Sequence, residues 1–195
     1  FANPDDLQNM ESIPLNHPIS VTVPGAVAGW IELSKKYGNL KIEEILDLGI
    51  ELCHEGFEIN EEFYNSLTLH KEELSGQASG YGFYRDNQPF ETGKMIRRPQ
   101  LGKTLELLKR NGLEYFYDSD ITKSISSSVN GILSFDDLKN FKAEWKKPLH
   151  SKIYGFDGWT SPPSTQGYLT LSTLKAIEML GAEHNDIHRV IETYL

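Results

Sequence analysis

Residues 153–180 read IYGFDGWTSPPSTQGYLTLSTLKAIEML, and they give the most specific indication of the architecture of this chain. Apolar and small side chains alternate at its start, which is typical of a β-strand. Pro162 and Pro163 then end the strand, because each ring fixes φ and removes a backbone donor. Ser164 or Thr165 follows as a candidate N-cap, so the sequence predicts a strand that passes through a double-proline turn into a helix.

The helix after this turn carries large aliphatic residues at helical spacing on one side: Leu171, Leu174, Ile177 and Leu180. Gly181 is its predicted end, because glycine adopts the left-handed conformation with which helices often finish. Before the turn, residues 147–154 and 156–160 are predicted to form two strands around Gly155.

The rest of the chain is predicted to be mainly helical, with helices over residues 26–37, 42–54, 61–70, 99–111, 120–129 and 135–141. Pro99 suits the first position of the fourth helix. Candidate N-caps precede three of the others: Asn60, Ser119 or Asp120, and Ser134. Six residues of the second helix are predicted to face inward: Ile42, Ile45, Leu46, Gly49, Leu52 and Cys53. Residues 75–93 predict a loop with a short strand around residues 81–84.

The charge and composition of the chain argue against several classes of partner. The net charge is −9 and the basic residues are scattered in doublets, so neither nucleic acid nor an anionic membrane is an expected partner. No apolar run approaches the ~20 residues of a membrane-spanning helix. Cys53 is the one cysteine, at helical spacing from Ile50 and Leu46, which predicts a buried structural thiol. The localisation stays unknown, with a cytoplasmic protein favoured because no targeting segment is visible, although the chain opens on Phe1.

Several residue patterns resemble binding motifs, and the sequence argues against each of them. Residues 101–104 (LGKT) end like a phosphate-binding loop, but Arg97 stands where that motif needs a glycine. His184 and His188 are spaced to share one face of a helix, yet no third histidine or cysteine lies nearby. A helix start that faces solvent is therefore favoured over a metal site.

The hydroxyl and carboxyl groups form no recognisable catalytic set. Residues 126–128 are three serines inside a predicted helix, without the glycine turn that exposes a nucleophile. Neighbouring acids such as Glu43 and Glu44 point about 100° apart on a helix, so they do not form an acid/base pair. Ser164 and Thr165 are the best candidates for a place near a site, although capping is the favoured role. No catalytic, cofactor-binding or metal-ligating residue is assigned, and the substrate-binding residues are unknown.

Six segments match, in the same order, motifs of one protein family. They are TVPGAVAGW at 22–30 with KYG at 36–38, EGFEIN at 55–60, RPQLGKTL at 98–105, NGLEYFY at 111–117, LSFDDL at 133–138, and the joint at 153–180. Together they resemble the large-subunit region of the γ-glutamyltranspeptidase (glutathione hydrolase) family and cover most of the chain. Ser161, Thr165 and Gln166 stand where that family usually has proline, serine and glycine, so its substrates are not carried over.

The resemblance implies an α/β fold in which this chain is the helix-rich outer part of an N-terminal-nucleophile (αββα) hydrolase, with few strands. Members of the family cleave themselves, and the new N-terminal threonine of the small subunit attacks a γ-glutamyl amide, with its own α-amine as the base. That threonine is expected downstream of Leu195, and the arginine for the substrate carboxylate upstream of Phe1. Arg97 and Arg98 do not match the arginine motif. The expected partners are the small-subunit portion of the same precursor and a small γ-glutamyl substrate, and this fragment alone is predicted to be inactive.

Two other functions stay open at the level of the sequence. A non-catalytic relative would keep the fold as a binding or scaffolding module, which the altered residues 161–166 permit. An unrelated helical domain would use His184 and His188 as a metal site.

Both ends of residues 1–195 are predicted to be truncated within a single domain, because an apolar helical stripe runs to the last residue: Ile187, Val190, Ile191, Tyr194 and Leu195.

Overall fold

The structure, a computed structural model, describes residues 10–13, 17–76 and 82–181. The chain divides into two units, Phe1–Ala143 and Glu144–Leu195. The described part of the first unit is mainly helical, and that of the second is a strand hairpin followed by a helix. None of the helices in the described ranges is long and apolar enough to cross a lipid bilayer. The single domain inferred from the sequence stays a prediction.

The helices of the first unit follow the predicted pattern: α1 (Ala26–Tyr37), α2 (Ile42–Glu55), α3 (Glu61–Leu69), α4 (Lys71–Leu74), α5 (Pro99–Asn111), α6 (Asp120–Ser128) and α7 (Phe135–Lys139). Short 3₁₀ turns lie at Pro18–Ser20 and Leu113–Phe116. α3 and α7 end one and two residues earlier than predicted, and α4 is a single turn that the sequence pattern did not predict. Pro99 opens α5 as expected, since its missing N–H would have no partner inside the helix.

Side chains cap three of these helices, as predicted. Asn60 Oδ1 accepts a hydrogen bond of 2.8 Å from the backbone N–H three residues later. Ser119 Oγ accepts one of 3.1 Å from the N–H two residues later. Ser134 Oγ accepts from Asp137 N at 3.0 Å, and Asp137 Oδ2 accepts from Ser134 N at 2.9 Å, which completes a capping box. The hydroxyl and backbone N–H of Ser134 hold the pKa of Asp137 below its usual value.

The main core of the first unit is formed by these buried side chains: Val23, Val27, Ala28, Leu46, Leu108, Leu113, Tyr117, Val129, Leu133 and Leu138. Leu133 and Leu138 are fully buried, and each contributes about 2 kcal/mol of hydrophobic stabilisation. α2 packs along α5, and Gly102 permits the close approach, because a Cβ there would lie 2.8 Å from His54 Nε2 and 3.1 Å from Cys53 Cβ. Cys53 is buried at this contact, which confirms its predicted structural place.

A smaller apolar cluster of the first unit is held by two pairs of very short strands. β1 (Phe57–Glu58) pairs antiparallel with β4 (Met95–Ile96), and β2 (Tyr84–Arg85) pairs antiparallel with β3 (Gln88–Pro89). The buried side chains beneath them are Ile59, Leu67 and Ile96. The strand predicted around residues 81–84 is thus displaced towards Arg85, while residue 81 lies outside the described residues. β1 and β4 were missed because strands of two residues have no measurable periodicity.

Two residues of α2 contradict the predicted inward face. Leu46 and Cys53 are buried as expected, whereas Ile45 and Leu52 are 50% and 46% exposed. The reason is geometric: the apolar residues of α2 cover a wider arc than the described core of this unit reaches. The prediction was therefore wrong for these two side chains.

The second unit contains one hairpin and one helix within its described residues. β5 (Leu149–Ile153) and β6 (Phe156–Thr160) pair antiparallel, and α8 (Gly167–Met179) follows. Tyr154 and Gly155 form the turn with φ values of 48° and 82°, the two left-handed positions of a type I′ hairpin. β5 begins two residues later than predicted, and Gly181 follows α8 with a left-handed φ of 60°, as expected.

Candidate functional site

The joint between β6 and α8 is the first candidate site, because the hydroxyl groups singled out from the sequence lie there. α8 begins at Gly167, and Gln166 occupies the N-cap position without a side-chain hydrogen bond. The prediction that Ser164 or Thr165 caps α8 is therefore wrong. Thr165 Oγ1 instead donates backwards to the carbonyl oxygen of Ser161 at 3.0 Å, so its hydroxyl closes the turn before the helix starts.

α8 lies against the hairpin through two glycines. A Cβ at Gly167 would overlap Thr160 Oγ1 and lie 2.9 Å from Thr160 Cβ. A Cβ at Gly158 would lie 2.8 Å from Leu171 Cδ2. Larger residues at these two positions are thus incompatible with the observed separation, so the joint is a close packing contact. Of the four predicted apolar residues on one side of α8, Leu171 and Ile177 are half-buried, whereas Leu174 and Leu180 are exposed.

Two polar contacts fix the far end of α8 on the hairpin. Lys175 Nζ donates to the carbonyl oxygen of Lys152 at 2.9 Å, and the backbone N–H of Tyr154 donates to Glu178 Oε1 at 2.6 Å. Lys175 also pairs with Glu178 at 2.5 Å. The ammonium group of Lys175 and the N–H of Tyr154 hold the pKa of Glu178 below its usual value. These charged groups therefore serve as anchors between the strand turn and the helix.

The opposite face of the hairpin carries an imidazole–carboxylate pair that was not predicted. His150 Nε2 lies 2.7 Å from Asp157 Oδ1, and the imidazole ring lies 4.2 Å from the Trp159 ring between centroids. All three side chains are exposed. The strand register places His150 directly opposite Trp159. That register was the available signal, but the two strands were predicted without pairing them residue by residue.

In the first unit, one buried tyrosine hydroxyl joins two segments that are distant in sequence. Tyr117 Oη accepts a hydrogen bond from the backbone N–H of Ala28 at 3.1 Å and donates to the carbonyl oxygen of Pro24 at 2.7 Å. Burial raises the pKa of Tyr117, and the N–H of Ala28 opposes this shift. The protonated hydroxyl therefore fixes the start of α1 on the segment that follows the 3₁₀ turn at Leu113–Phe116.

Replacing this tyrosine is expected to destabilise the first unit. Tyr117→Phe removes the hydroxyl and leaves the Ala28 N–H and the Pro24 carbonyl without their partner, which costs about 1–3 kcal/mol. Urea unfolding measures the effect, and Tyr154→Phe is the matched control because its side chain is 53% exposed. Equal unfolding midpoints for the two variants would show that the hydroxyl has no such role.

A cleft of about 420 Å³ lies beside Tyr117. Apolar side chains of α1 and of the segment after α7 form part of its wall. Its rim carries two exposed ion pairs, Lys35–Glu114 at 3.5 Å and Lys139–Asp118 at 3.0 Å, each worth about 0–1 kcal/mol. The residues that line it include no serine, cysteine or histidine. The cleft therefore offers a shape for a ligand, but neither a serine or cysteine nucleophile nor an imidazole base.

Two of the serines inside α6 hold structural positions. Ser126 Oγ donates to the carbonyl oxygen of Leu133 at 2.7 Å, and Ser128 Oγ donates to that of Ile125 at 2.7 Å. Gly102, the centre of the motif that resembles a phosphate loop, lies within α5 and packs on α2. These two hydroxyls and this glycine therefore serve local hydrogen bonding and helix packing.

The two arginines considered as candidate cations make local contacts. Arg97 Nε donates to the carbonyl oxygen of Glu55 at 3.1 Å, and the Arg98 guanidinium lies 4.6 Å from the centre of the Phe83 ring. The pair at residues 184 and 188 lies outside the described residues. In the described ranges, the His, Cys, Asp and Glu side chains form no group of three that would hold a metal ion.

Solved structures with the same arrangement define the class of fold. The CapD transpeptidase of Bacillus anthracis matches with a TM-score of 0.77 and 28% identity, over 89% of this chain and 63% of that chain. A cephalosporin acylase from Bacillus halodurans matches with a TM-score of 0.80 and 24% identity, over 97% of this chain and 38% of that chain, and this likeness shows the fold alone. The chain thus has the helix-rich outer part of an N-terminal-nucleophile hydrolase fold, as the motifs implied.

The sequence model of the gamma-glutamyltranspeptidase family matches residues 1–194, and the chain belongs to this family. The capsule biosynthesis protein CapD proenzyme of Bacillus anthracis is 30% identical over 163 residues, which are 84% of this chain and 30% of that protein. The glutathione hydrolase proenzyme of Bacillus subtilis is 26% identical over 196 residues, covering 95% of this chain and 33% of that protein. The chain spans about a third of the length of these curated relatives. The resemblance drawn from the six motifs is confirmed.

Proposed function

We propose that this chain is the large-subunit segment of a γ-glutamyltransferase-like or glutathione-hydrolase-like enzyme. The enzyme cleaves γ-glutamyl amides through an N-terminal threonine that lies outside the 195 residues. Its partners are the small-subunit portion of the same precursor and a small γ-glutamyl substrate. The two units described above are then parts of one domain of the complete enzyme, and the chain alone is inactive.

One observation carries this proposal: the family model matches residues 1–194, while four candidate nucleophiles among the described residues hold structural positions. The hydroxyls of Ser126, Ser128 and Thr165 donate to backbone carbonyls, and the thiol of Cys53 is buried against α5. The proposal therefore takes the nucleophile and its base from the rest of the polypeptide.

The surface of the second unit supports a partner from the same precursor. α8 is apolar on several sides, and its residues Leu174 and Met179 are 42% and 78% exposed. Phe156 of the hairpin is 79% exposed. A helix that is apolar all round is typical of the interior of a larger protein. The remainder of the enzyme, including its small-subunit portion, is proposed to cover these side chains.

The chemistry of the proposed enzyme follows from an N-terminal threonine. The threonine hydroxyl attacks the γ-carbonyl carbon of the substrate while the α-amine takes the hydroxyl proton. The amide C–N bond breaks, and the amine leaves with that proton. The γ-glutamyl ester on the threonine then passes to water or to an amino group. In this scheme the residues of the present chain hold the reacting groups in place through packing.

Self-cleavage of the complete precursor tests the proposal. The precursor is expected to separate into two subunits on a denaturing gel, and mass spectrometry of the smaller one should find threonine at its new N-terminus. Replacement of that threonine by alanine should leave the chain intact and is the control for an adventitious protease.

A precursor that stays in one piece, without a threonine at a new N-terminus, would contradict an active enzyme of this kind. It would favour the other reading, a non-catalytic relative that keeps the fold as a binding or scaffolding module. The altered joint gives that reading its specific support, because Gln166 starts α8 without a side-chain cap.

A further inference from the structure

An apolar groove runs between α1 and α2 in the first unit, with a volume of about 480 Å³. Its walls are the side chains of Trp30, Leu33 and Tyr37 from α1 and of Ile45 from α2. They are 42%, 53%, 65% and 50% exposed, in that order. Large exposed side chains of this kind, grouped around one depression, are typical of a surface that another molecule covers.

The floor of the groove is shaped to receive side chains. Gly49 of α2 lies on the floor with Leu105 of α5 below it, since a Cβ at Gly49 would meet only Leu105 Cδ1, at 3.5 Å. Ser34 and Gly38 supply similarly small residues on the side of α1. Small residues between large walls form the holes into which the ridges of a packed helix fit.

The apolar surface continues beyond the groove along α2. Ile45, Leu48 and Leu52 follow one another at helical spacing, and Leu48 and Leu52 are 65% and 46% exposed. Ile45 and Leu52 are the two residues whose sequence pattern predicted burial. Their apolar character is explained if another element covers this side of α2, because isolated solvated helix faces are normally polar.

We infer that the α1–α2 groove is the docking site of an amphipathic helix from the same precursor, outside the 195 residues. A groove between two helices, with anchors repeating at helical spacing, fits a helix that inserts its own aliphatic side chains. The relatives of this chain are about three times as long, so a large part of such a polypeptide has no counterpart here. This inference rests on the proposed function only in requiring that longer precursor.

A photo-cross-linking experiment on the complete precursor identifies the occupant. Leu33→p-benzoylphenylalanine places a light-activated group in the groove, and Leu69→p-benzoylphenylalanine is the control on α3, where the native side chain is 79% exposed. Irradiation of the Leu33 variant should join the groove to a peptide from outside residues 1–195 of the same molecule, and this product should be missing from the control. A mixture of isotopically light and heavy chains separates links within one molecule from links between two.

Three results would overturn the inference. The first is a link between light and heavy chains, which would indicate a second copy of the molecule. The second is a link that joins the groove only to residues within 1–195. The third is a cross-linking yield no higher than that of the control. A second pair of variants guards against a failure of labelling. Leu33→Glu should move the urea unfolding midpoint of the precursor to lower concentration, because it buries a charge beneath the helix, whereas Leu69→Glu should leave it in place. Equal urea unfolding midpoints for the two glutamate variants would also contradict a helix docked in the groove.

The outcomes separate this inference from the proposed enzyme. A precursor that forms the cross-link but does not cleave itself would support the docked helix and contradict the catalytic proposal. A precursor that cleaves itself but forms no cross-link would support the proposed enzyme and contradict the docked helix.

Discussion

Gly167→Ala is expected to destabilise the second unit by about 3 kcal/mol, near the upper end of the cost of overpacking a well-packed contact. The added methyl group would occupy the position of Thr160 Oγ1 and approach Thr160 Cβ to 2.9 Å. Rotation about χ1 could move Oγ1, but Cβ cannot move far, because Thr160 is the last residue of β6 and is paired with Leu149. The helix must therefore move away from the hairpin, which weakens the contact of Leu171 with Gly158.

Urea unfolding followed by tryptophan fluorescence measures this loss, since Trp145 and Trp159 both belong to the second unit. Gly29→Ala is the matched control: Gly29 also lies in a helix, and a Cβ there would meet no atom within 4 Å. Alanine should stabilise that helix by up to about 1 kcal/mol. If both variants unfold at the same urea concentration, the close approach of α8 to β6 does not exist.

A double variant tests the stated cause of the loss. Thr160→Ala removes the Oγ1 and Cγ2 atoms that the new methyl group would meet, so it should restore part of the stability of Gly167→Ala. Residues in direct contact commonly show coupling energies of about 0.5–3 kcal/mol in such cycles. Strictly additive effects of the two changes would mean that the methyl group acts through another contact.

The sequence predicted most of the helical framework because each helix carries local signals. Asn60, Ser119 and Ser134 accept the capping hydrogen bonds expected of them, and Pro99 begins α5. These interactions span two or three residues, so the local sequence contains all the information needed to predict where each helix begins. The same holds for the hairpin turn at residues 154 and 155, where the glycine indicated the change of direction.

Most of the errors fall where distant segments decide the structure. One error is local: Ser164 or Thr165 was expected to cap α8, but the Thr165 hydroxyl donates to the carbonyl oxygen of Ser161, and α8 begins only at Gly167. The hydrogen bonds of Tyr117 to residues near the start of α1 bridge about ninety positions and leave no local signal. Ile45 was expected to be buried but is 50% exposed, because the described core of the first unit does not extend to that side of α2.

For the candidate site, the sequence predicted the structural roles of a few residues. Cys53 was expected to be structural and is buried. Ser126 and Ser128 were expected to lie inside a helix without an exposing turn, and their hydroxyls donate to backbone carbonyls of α6 and of the segment after it. The pair of His150 and Asp157 on the outer face of the hairpin was missed, because its recognition requires the strand register. The catalytic threonine belongs, by the proposal, to residues beyond this chain.

The second large effect concerns activity. The isolated 195-residue chain is expected to be inactive towards a γ-glutamyl anilide, because the nucleophilic threonine is proposed to lie outside it. The candidate groups Ser126, Ser128 and Thr165 donate to backbone carbonyls, and the Cys53 thiol is buried. The processed precursor should release the aniline with an acceleration of at least about 10⁶ over the uncatalysed reaction, the lower end of ordinary enzymes. The isolated chain is therefore expected to show essentially none of the activity of the processed precursor.

The decisive measurement is the initial rate of aniline release from a γ-glutamyl anilide, at equal molar concentration of the isolated chain and of the processed precursor. The rate with the chain should equal that of buffer alone, while the precursor should release aniline rapidly. Turnover by purified chain that disappears when the chain is unfolded would mean that residues 1–195 contain their own catalytic groups, and it would contradict the account.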